Sequence, residues 1–247
     1  MEQLYDMILK RKSVRRFDRS LHISNEELDD IKLKISNLKP LVNDIEIAYK
    51  IVKVEDTNCK WNGEYCILVY SQEKENYLLN IGYMFEQLDL YLASLNIGAC
   101  WYGWGKTSEK IYDNKKFVIM INFGKSKVED FRENIEKTNR KEINEMWEGN
   151  TALEVASVAR YAPSACNSQP WIVKSHDNTI DLYQNTNITS ILSKALIRYF
   201  NIIDLGIFML ILELSLNHFE YDIKRELMSQ ETKISPNQIA SYTIKKL

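Results

Sequence analysis

The chain is poor in the residues that bind metals or cross-link secreted folds. Its 247 residues contain four cysteines and three histidines. Cys59, Cys66, Cys100 and Cys166 form no CxxC pair, and His22, His176 and His218 stand at no ligand spacing to one another or to a cysteine. No metal site is expected, and the thiols are expected to be reduced in a cytoplasmic protein. Charge excess is lacking too. The net charge is -2 and the isoelectric point near 6.0, so bulk attraction to nucleic acid or to an acidic membrane is not expected. Met1–Lys12 mixes acidic, basic and apolar residues, which argues against a targeting peptide. The most apolar stretch, Ile202–Leu216, is interrupted by Asp204 and Glu213 and is short for a bilayer, so it is read as a buried core helix. Neither GxGxxG nor a Walker pattern occurs.

What is present is a folded-core composition, with 45% hydrophobic residues. A short amphipathic helix is expected through Tyr5, Met7, Ile8 and Leu9. A second starts at Ser24-Asn25-Glu26-Glu27, where a capping side chain precedes carboxylates, and runs through Leu28, Ile31 and Ile35 to Pro40. Strands are expected at Ile45–Val54, Tyr65–Tyr70 and Phe117–Gly124. Leu78–Leu95 has helical spacing, with Gly98 as its terminator. The highly charged run Arg132–Glu148 reads as a solvated connector, dividing the chain into 1–136 and 137–247. The second half repeats the plan. It has a helix at Leu153–Tyr161, a hairpin of Trp171–Val173 and Ile180–Tyr183 around Asp177-Asn178, an apolar helix at Ile202–Leu216 and a strand at Ile239–Ile244. Leu79-Asn80-Ile81-Gly82 echoes Ile203-Asp204-Leu205-Gly206, and Ala93-Ser94-Leu95-Asn96 echoes Leu214-Ser215-Leu216-Asn217. Such self-similarity suggests internal duplication.

Three stretches carry candidate chemistry. In Arg11-Lys12-Ser13-Val14-Arg15-Arg16-Phe17, residues 11, 13 and 15 would share one face of an extended segment and aim two guanidinium groups and a hydroxyl at an anion. The plainer alternative is a solvated basic helix end. Ala162-Pro163-Ser164-Ala165-Cys166-Asn167-Ser168-Gln169-Pro170-Trp171 crowds amides and hydroxyls between two stiffening prolines. These groups suit either an ordered turn or the donor and acceptor edge of a heterocycle. Gly98–Gly105 mixes glycines that admit close approach with Trp101, Tyr102 and Trp104 that can cover a ring, or is a turn with buried aromatics. Lys137, Arg140 and Lys141 are solvated connector charges or part of a phosphate pocket.

Together these residues resemble the nitroreductase family of FMN-dependent oxidoreductases. The specific match is Ala162–Trp171; Arg11–Phe17, Gly98–Gly103 and Lys137–Arg140 support it. One departure stands out. In ordinary members the Pro-Ser-Asn-Gln-Pro-Trp loop follows the basic cluster, where this chain has Leu38-Lys39-Pro40-Leu41-Val42-Asn43; the loop comes instead in the second half. The resemblance therefore implies an α+β, nitroreductase-like layered fold. Two degenerate half-units, each a mixed, mainly antiparallel sheet with helices, would pack as an intramolecular pseudo-dimer with one FMN. It implies Arg11, Lys12 and Ser13 at the phosphate or ribityl chain with Lys137 and Arg140, and Arg15 at the pyrimidine edge as an electrostatic stabiliser. It also implies Trp101, Tyr102 and Gly103 near the N5 side, and Pro163, Ser164, Ala165 and Asn167 along the isoalloxazine. The implied activity is FMN-dependent, NAD(P)H-driven reduction of nitroaromatics, quinones or a similar electron-poor small molecule by a monomer. The alternative is a non-enzymatic FMN-binding protein for storage or sensing.

Overall fold

A computed structural model describes residues 2–229, 232 and 234–247. The chain divides into two compact units, Leu9–Glu136 and Met1–Ile8 with Lys137–Leu247. Helix α1 (Glu2–Lys10) as far as Ile8 thus groups with the later residues. There the Tyr5 ring stacks on His218 at 3.5 Å.

In the Leu9–Glu136 unit, α2 (Asn25–Ser36) begins where the capping residues demanded. The Ser24 hydroxyl accepts from the Glu27 N–H, and the Glu27 carboxylate accepts from the Ser24 N–H. Ile31 and Ile35 bury its inner face. The hairpin β1 (Ile47–Lys53) and β2 (Tyr65–Ser71) leads into the long helix α3 (Tyr77–Ser94). Strand β3 (Ile97–Tyr102), the short β4 (Ile111–Tyr112) and β5 (Lys115–Lys125) complete an antiparallel sheet of order β1-β2-β5-β3, with β4 on β5. Gly98 does not terminate α3. The helix ends at Leu95, Asn96 takes a positive φ of 54°, and Gly98 lies inside β3. Asparagine tolerates the left-handed region, which frees the glycine for another task.

In the other unit, the charged connector is less solvated than its composition suggested. It ends in a one-turn helix α4 (Ile143–Met146) and β6 (Trp147–Glu148), whose Met146 and Trp147 enter the core. Helix α5 (Leu153–Ala159) is followed by the hairpin β7 (Trp171–His176) and β8 (Thr179–Gln184), turning at Asp177-Asn178 as expected. Helix α6 (Lys194–His218), then β9 (Tyr221–Leu227) and β10 (Gln238–Lys246), close the unit. The sheet order is β6-β7-β8-β10-β9, antiparallel except for the β6–β7 pair. Helix α6 is longer than the apolar run implied. The mean hydropathy of its most apolar 18-residue stretch, 1.9, would suit a bilayer, yet 72% of that stretch is buried in protein. Trp171, fully buried, stacks on its Phe208 at 4.7 Å.

Leaving aside the two-residue strands β4 and β6, both units follow one plan: short helix, loop, hairpin, long helix, two strands, with the last strand (β5 or β10) between the second hairpin strand and the strand after the long helix. The correspondence reaches single residues. Asn80 and Asp204 each lie fifteen residues before the C-cap of their long helix, Leu95 and Phe219, and Asp89 and Glu213 each lie six before it. The Asn80–Asp204 echo keeps this register, whereas the echo of Ala93–Asn96 with Leu214–Asn217 does not: Ser94 lies one residue before its C-cap and Ser215 four. The fold is α+β: the described residues hold six α-helices, one antiparallel sheet and one mixed sheet.

Candidate functional site

The Arg11–Phe17 segment is extended and runs along the edge strand β3. Ser13 bridges Ala99 in parallel, and the Val14 N–H donates to the Ala99 carbonyl at 3.0 Å. Gly98 makes this approach possible. A Cβ there would lie 2.8 Å from the Val14 side chain and 2.4 Å from Ser126 Oγ. The segment and the Gly98–Gly103 stretch are thus brought together, and Trp101–Gly103 begins as strand rather than turn.

Within the segment the cations have separate fates. Arg11 is buried at 3% exposure. Its Nε donates to Asp89 Oδ2 at 2.7 Å, Glu86 Oε1 lies 3.7 Å away, and its terminal nitrogen donates to Ser13 Oγ at 2.8 Å. Burial works against the guanidinium charge, but Asp89 and Glu86 outweigh it and hold the Arg11 pKa above its usual value. Arg11 is therefore neutralised by protein carboxylates. Lys12, Arg15 and Arg16 are the exposed cations of the segment, and Arg15 lies over the Trp61 ring at 5.5 Å. Arg11 and Ser13 are joined directly by their hydrogen bond, and the Cys100 thiol lies close by. Burial raises its pKa, while Arg15, Arg11 and the Ser13 hydroxyl draw it down.

The loop 57–62 buttresses these pieces. Asn58 accepts from the Lys106 N–H at 2.7 Å and donates to the Trp104 carbonyl at 2.8 Å, and its own carbonyl accepts from Tyr102 Oη at 3.2 Å. Trp61 meets Tyr102 edge-on at 4.7 Å, and Asn62 both accepts from the Phe17 N–H and donates to its carbonyl. No motif pointed to this loop. Asp89 was missed as well, although a charge in an otherwise apolar helix signals a buried partner; it also accepts from Trp101 Nε1 at 3.2 Å.

In the other unit, Ala162–Trp171 is a tightly tied loop. Cys166, Asn167 and Gln169 have φ values of 53°, 55° and 47°. Three non-glycine residues in that region store strain that the surroundings must over-determine, a pattern that clusters at functional sites. The ties are visible. The Ser164 hydroxyl accepts from the Gln169 N–H at 2.9 Å, and Ser168 Oγ donates to Asn201 Oδ1 at 3.1 Å. Arg140 donates to Asn167 Oδ1 at 2.7 Å, while Lys141 uses its N–H and its ammonium on Gln169. The basic connector and the loop are thus brought together, with Arg140 and Lys141 each donating to loop oxygens. Lys137 is exposed; Pro163 is buried; Ser164, Ala165 and Asn167 are half-buried.

Beneath the loop, Asp204 of α6 takes the Ala165 N–H with both oxygens, at 3.1 and 3.0 Å. Burial pushes its carboxyl well above the ordinary range, and the Ala165 N–H and Ser168 hydroxyl oppose that shift only in part. In the first unit the corresponding Asn80 accepts from the Leu41 and Val42 N–H groups at 2.8 and 3.1 Å, holding the loop that stands where the polar turn is missing.

A family model described as "Putative TM nitroreductase" matches residues 3–216. The chain belongs to this nitroreductase family. The fold of this family member is similar to that of a "putative nitroreductase" from Thermotoga maritima, with a TM-score of 0.65 at 18% identity over 98% of this chain and 92% of that one. A nitroreductase family protein from Clostridium novyi is 21% identical over 50% of this chain and 85% of its own, with a TM-score of 0.42. A nitroreductase with bound FMN from Bacteroides fragilis is 16% identical over 60% and 95%, also with a TM-score of 0.42. No curated protein matches.

Proposed function

We propose that the chain is an FMN-dependent NAD(P)H oxidoreductase that reduces a nitroaromatic, a quinone or a similar electron-poor small molecule. The observation that carries this reading is the family match over residues 3–216, which takes in both the Arg11–Phe17 segment and the Ala162–Trp171 loop. A phosphorylated flavin asks for exposed cations and for a rigid set of hydroxyl and amide groups. Lys12, Arg15 and Arg16 offer the first, and the strained loop with Ser164 and Asn167 the second. Each group by itself has the chemistry that FMN asks for, with Arg11 left out because Asp89 already holds it.

FMN, when bound, supplies hydride and electron transfer, so the chain needs no nucleophile of its own. Lys12 and Ser13, with Lys137, would hold the phosphate and ribityl chain. Arg15 would set a fixed positive charge at the pyrimidine edge, and Trp101, Tyr102 and Gly103 would border the N5 side. Pro163, Ser164, Ala165 and Asn167 would line the ring. Arg140 acts on that set through Asn167. On this reading the protein is a cytoplasmic monomer that serves as an intramolecular pseudo-dimer and carries one FMN per chain.

The test is an absorption spectrum of purified protein reconstituted with FMN, followed by addition of NADH or NADPH. Bound flavin near one per chain that bleaches with the nicotinamide and recovers with a quinone supports the reading. A chain that takes up no FMN refutes it, and one that binds FMN but never turns over is a storage or sensing protein. Arg15→Ala should slow the bleaching about 10²-fold, the scale of one electrostatic stabiliser; unchanged stopped-flow rates would remove Arg15 from this role.

A further inference from the structure

Helix α6 carries an acid where its neighbours are apolar. Asp204 lies between the buried Ile203 and Leu205, is itself 4% exposed, and stands one turn from Asn201, which is 3% exposed. Both side chains reach the loop 162–171. Asn201 Oδ1 accepts from Ser168 Oγ at 3.1 Å, and the two Asp204 oxygens converge on the single Ala165 N–H at 3.1 and 3.0 Å.

A buried carboxylate normally answers its charge with a cation or with several donors. The charged groups around Asp204 are engaged elsewhere. Helix α5 and its cap bring Glu154 and Arg160 to α6, and β9 brings Arg225. Glu154 accepts from Tyr221 Oη, Arg160 faces Glu142 and donates to the Arg140 carbonyl, and Arg225 donates to Glu213. From the connector, Arg140 and Lys141 donate to Asn167 and Gln169. Among the described residues only burial, the Ala165 N–H and the Ser168 hydroxyl act on Asp204, and burial prevails, holding its carboxyl well above the ordinary range.

We infer that Asp204 is a positioning residue of the candidate flavin site, and that it fastens the loop 162–171 as a neutral acid. The inference rests on the proposed reading that Ser164, Ala165 and Asn167 line FMN. In the neutral form one oxygen accepts from the Ala165 N–H and the acid proton goes to Ser168 Oγ, which leaves the Ser168 proton on Asn201. The loop is then tied to α6 at 165 and 168, on either side of Cys166 and Asn167, whose φ values of 53° and 55° call for such ties. When the acid ionises, Ser168 turns its one proton to the charge and gives up Asn201. The buried charge is relieved by opening the loop to water, and the groups that line the ring lose their places with it. Asp204 acts through Ala165 and Ser168 rather than on the ligand.

The experiment is an FMN titration by fluorescence quenching, with hydrogen exchange of the loop amides in protein without added FMN. Both run from mildly acidic to mildly alkaline pH on the full-length parent and on Asp204→Asn. The substituted amide keeps an acceptor for Ala165 and a donor for Ser168 and cannot ionise. The ratio of the two Kd values is read, because the ionisations of FMN are common to both proteins. At acidic pH the two should bind alike. Above the transition of the acid the parent's Kd should rise against the variant's by up to about tenfold per pH unit. Over the same window the amides of 165–169 should lose protection in the parent alone, after allowance for base-catalysed exchange. A ratio constant with pH overturns the proposal, as does an Asp204→Asn protein that binds FMN worse than the parent at acidic pH. If neither protein takes up FMN, the flavin reading fails and exchange alone decides Asp204. Loop protection that holds with rising pH in the parent, or falls equally in Asp204→Asn, then overturns it. If the variant does not fold, the parent's loop exchange decides in the same way.

Discussion

Replacing Arg11 with alanine separates two roles that the same residue could hold. If its guanidinium serves a phosphate, the variant should fold normally and bind ligand poorly. The geometry makes the opposite demand. Arg11 is 3% exposed and its partners Asp89 and Glu86 are 2% and 0% exposed, with the closest pair at 2.7 Å. Removing the cation leaves two acidic groups in the core without it, and breaking a buried pair in this way costs about 3–5 kcal/mol. The expected result in urea denaturation at neutral pH is a loss of that size with an unchanged slope. A double-mutant cycle with Asp89→Ala should return a coupling of about 0.5–3 kcal/mol. An Arg11→Ala protein less than about 1 kcal/mol weaker than the parent, with FMN binding abolished, would refute the assignment and restore Arg11 to the phosphate.

Asp204→Asn tests the buried carboxyl under the polar loop. Its folded-state pKa is raised by burial, so its contribution to stability is fully present below the unfolded carboxylate value and is lost as pH rises through the folded one. The parent should weaken by up to about 1.4 kcal/mol per pH unit in that window, while Asp204→Asn stays flat; a constant difference across pH would contradict this. Ser24→Ala should lower stability by about 1 kcal/mol, read as a shift in urea midpoint, because it empties the capping box of α2. Gly98→Ala should cost about 1–3 kcal/mol and weaken FMN binding in a fluorescence titration, since the new methyl meets Val14 and Ser126; unaltered binding would detach the basic segment from the site.

Periodicity exposed the helices whose apolar faces are wide and the strands buried on both faces. The capping residues at Ser24 and the turn at Asp177-Asn178 were readable because their chemistry is local. Strand β9 was not, because its sequence Tyr-Asp-Ile-Lys-Arg-Glu-Leu reads as charged surface; every second residue is exposed, as suits a sheet edge. Strand β3 hid behind its glycine. At the candidate site, residue types were legible but partnerships were not. Whether Arg11 faces a ligand or a carboxylate depends on Asp89, which lies 78 residues away in sequence. The loop 57–62 acts through an asparagine, a tryptophan and another asparagine at positions no motif marks.

The matched plans of the two units bear on how such a chain can change. In an assembly of identical subunits every substitution is written into both copies at once, so a residue that suits one context must be tolerated in the other. A single polypeptide carrying the plan twice is free of that constraint. Asn80 and Asp204 are the mark it leaves: one neutral amide and one acid at the same helical position, each fastening a different loop.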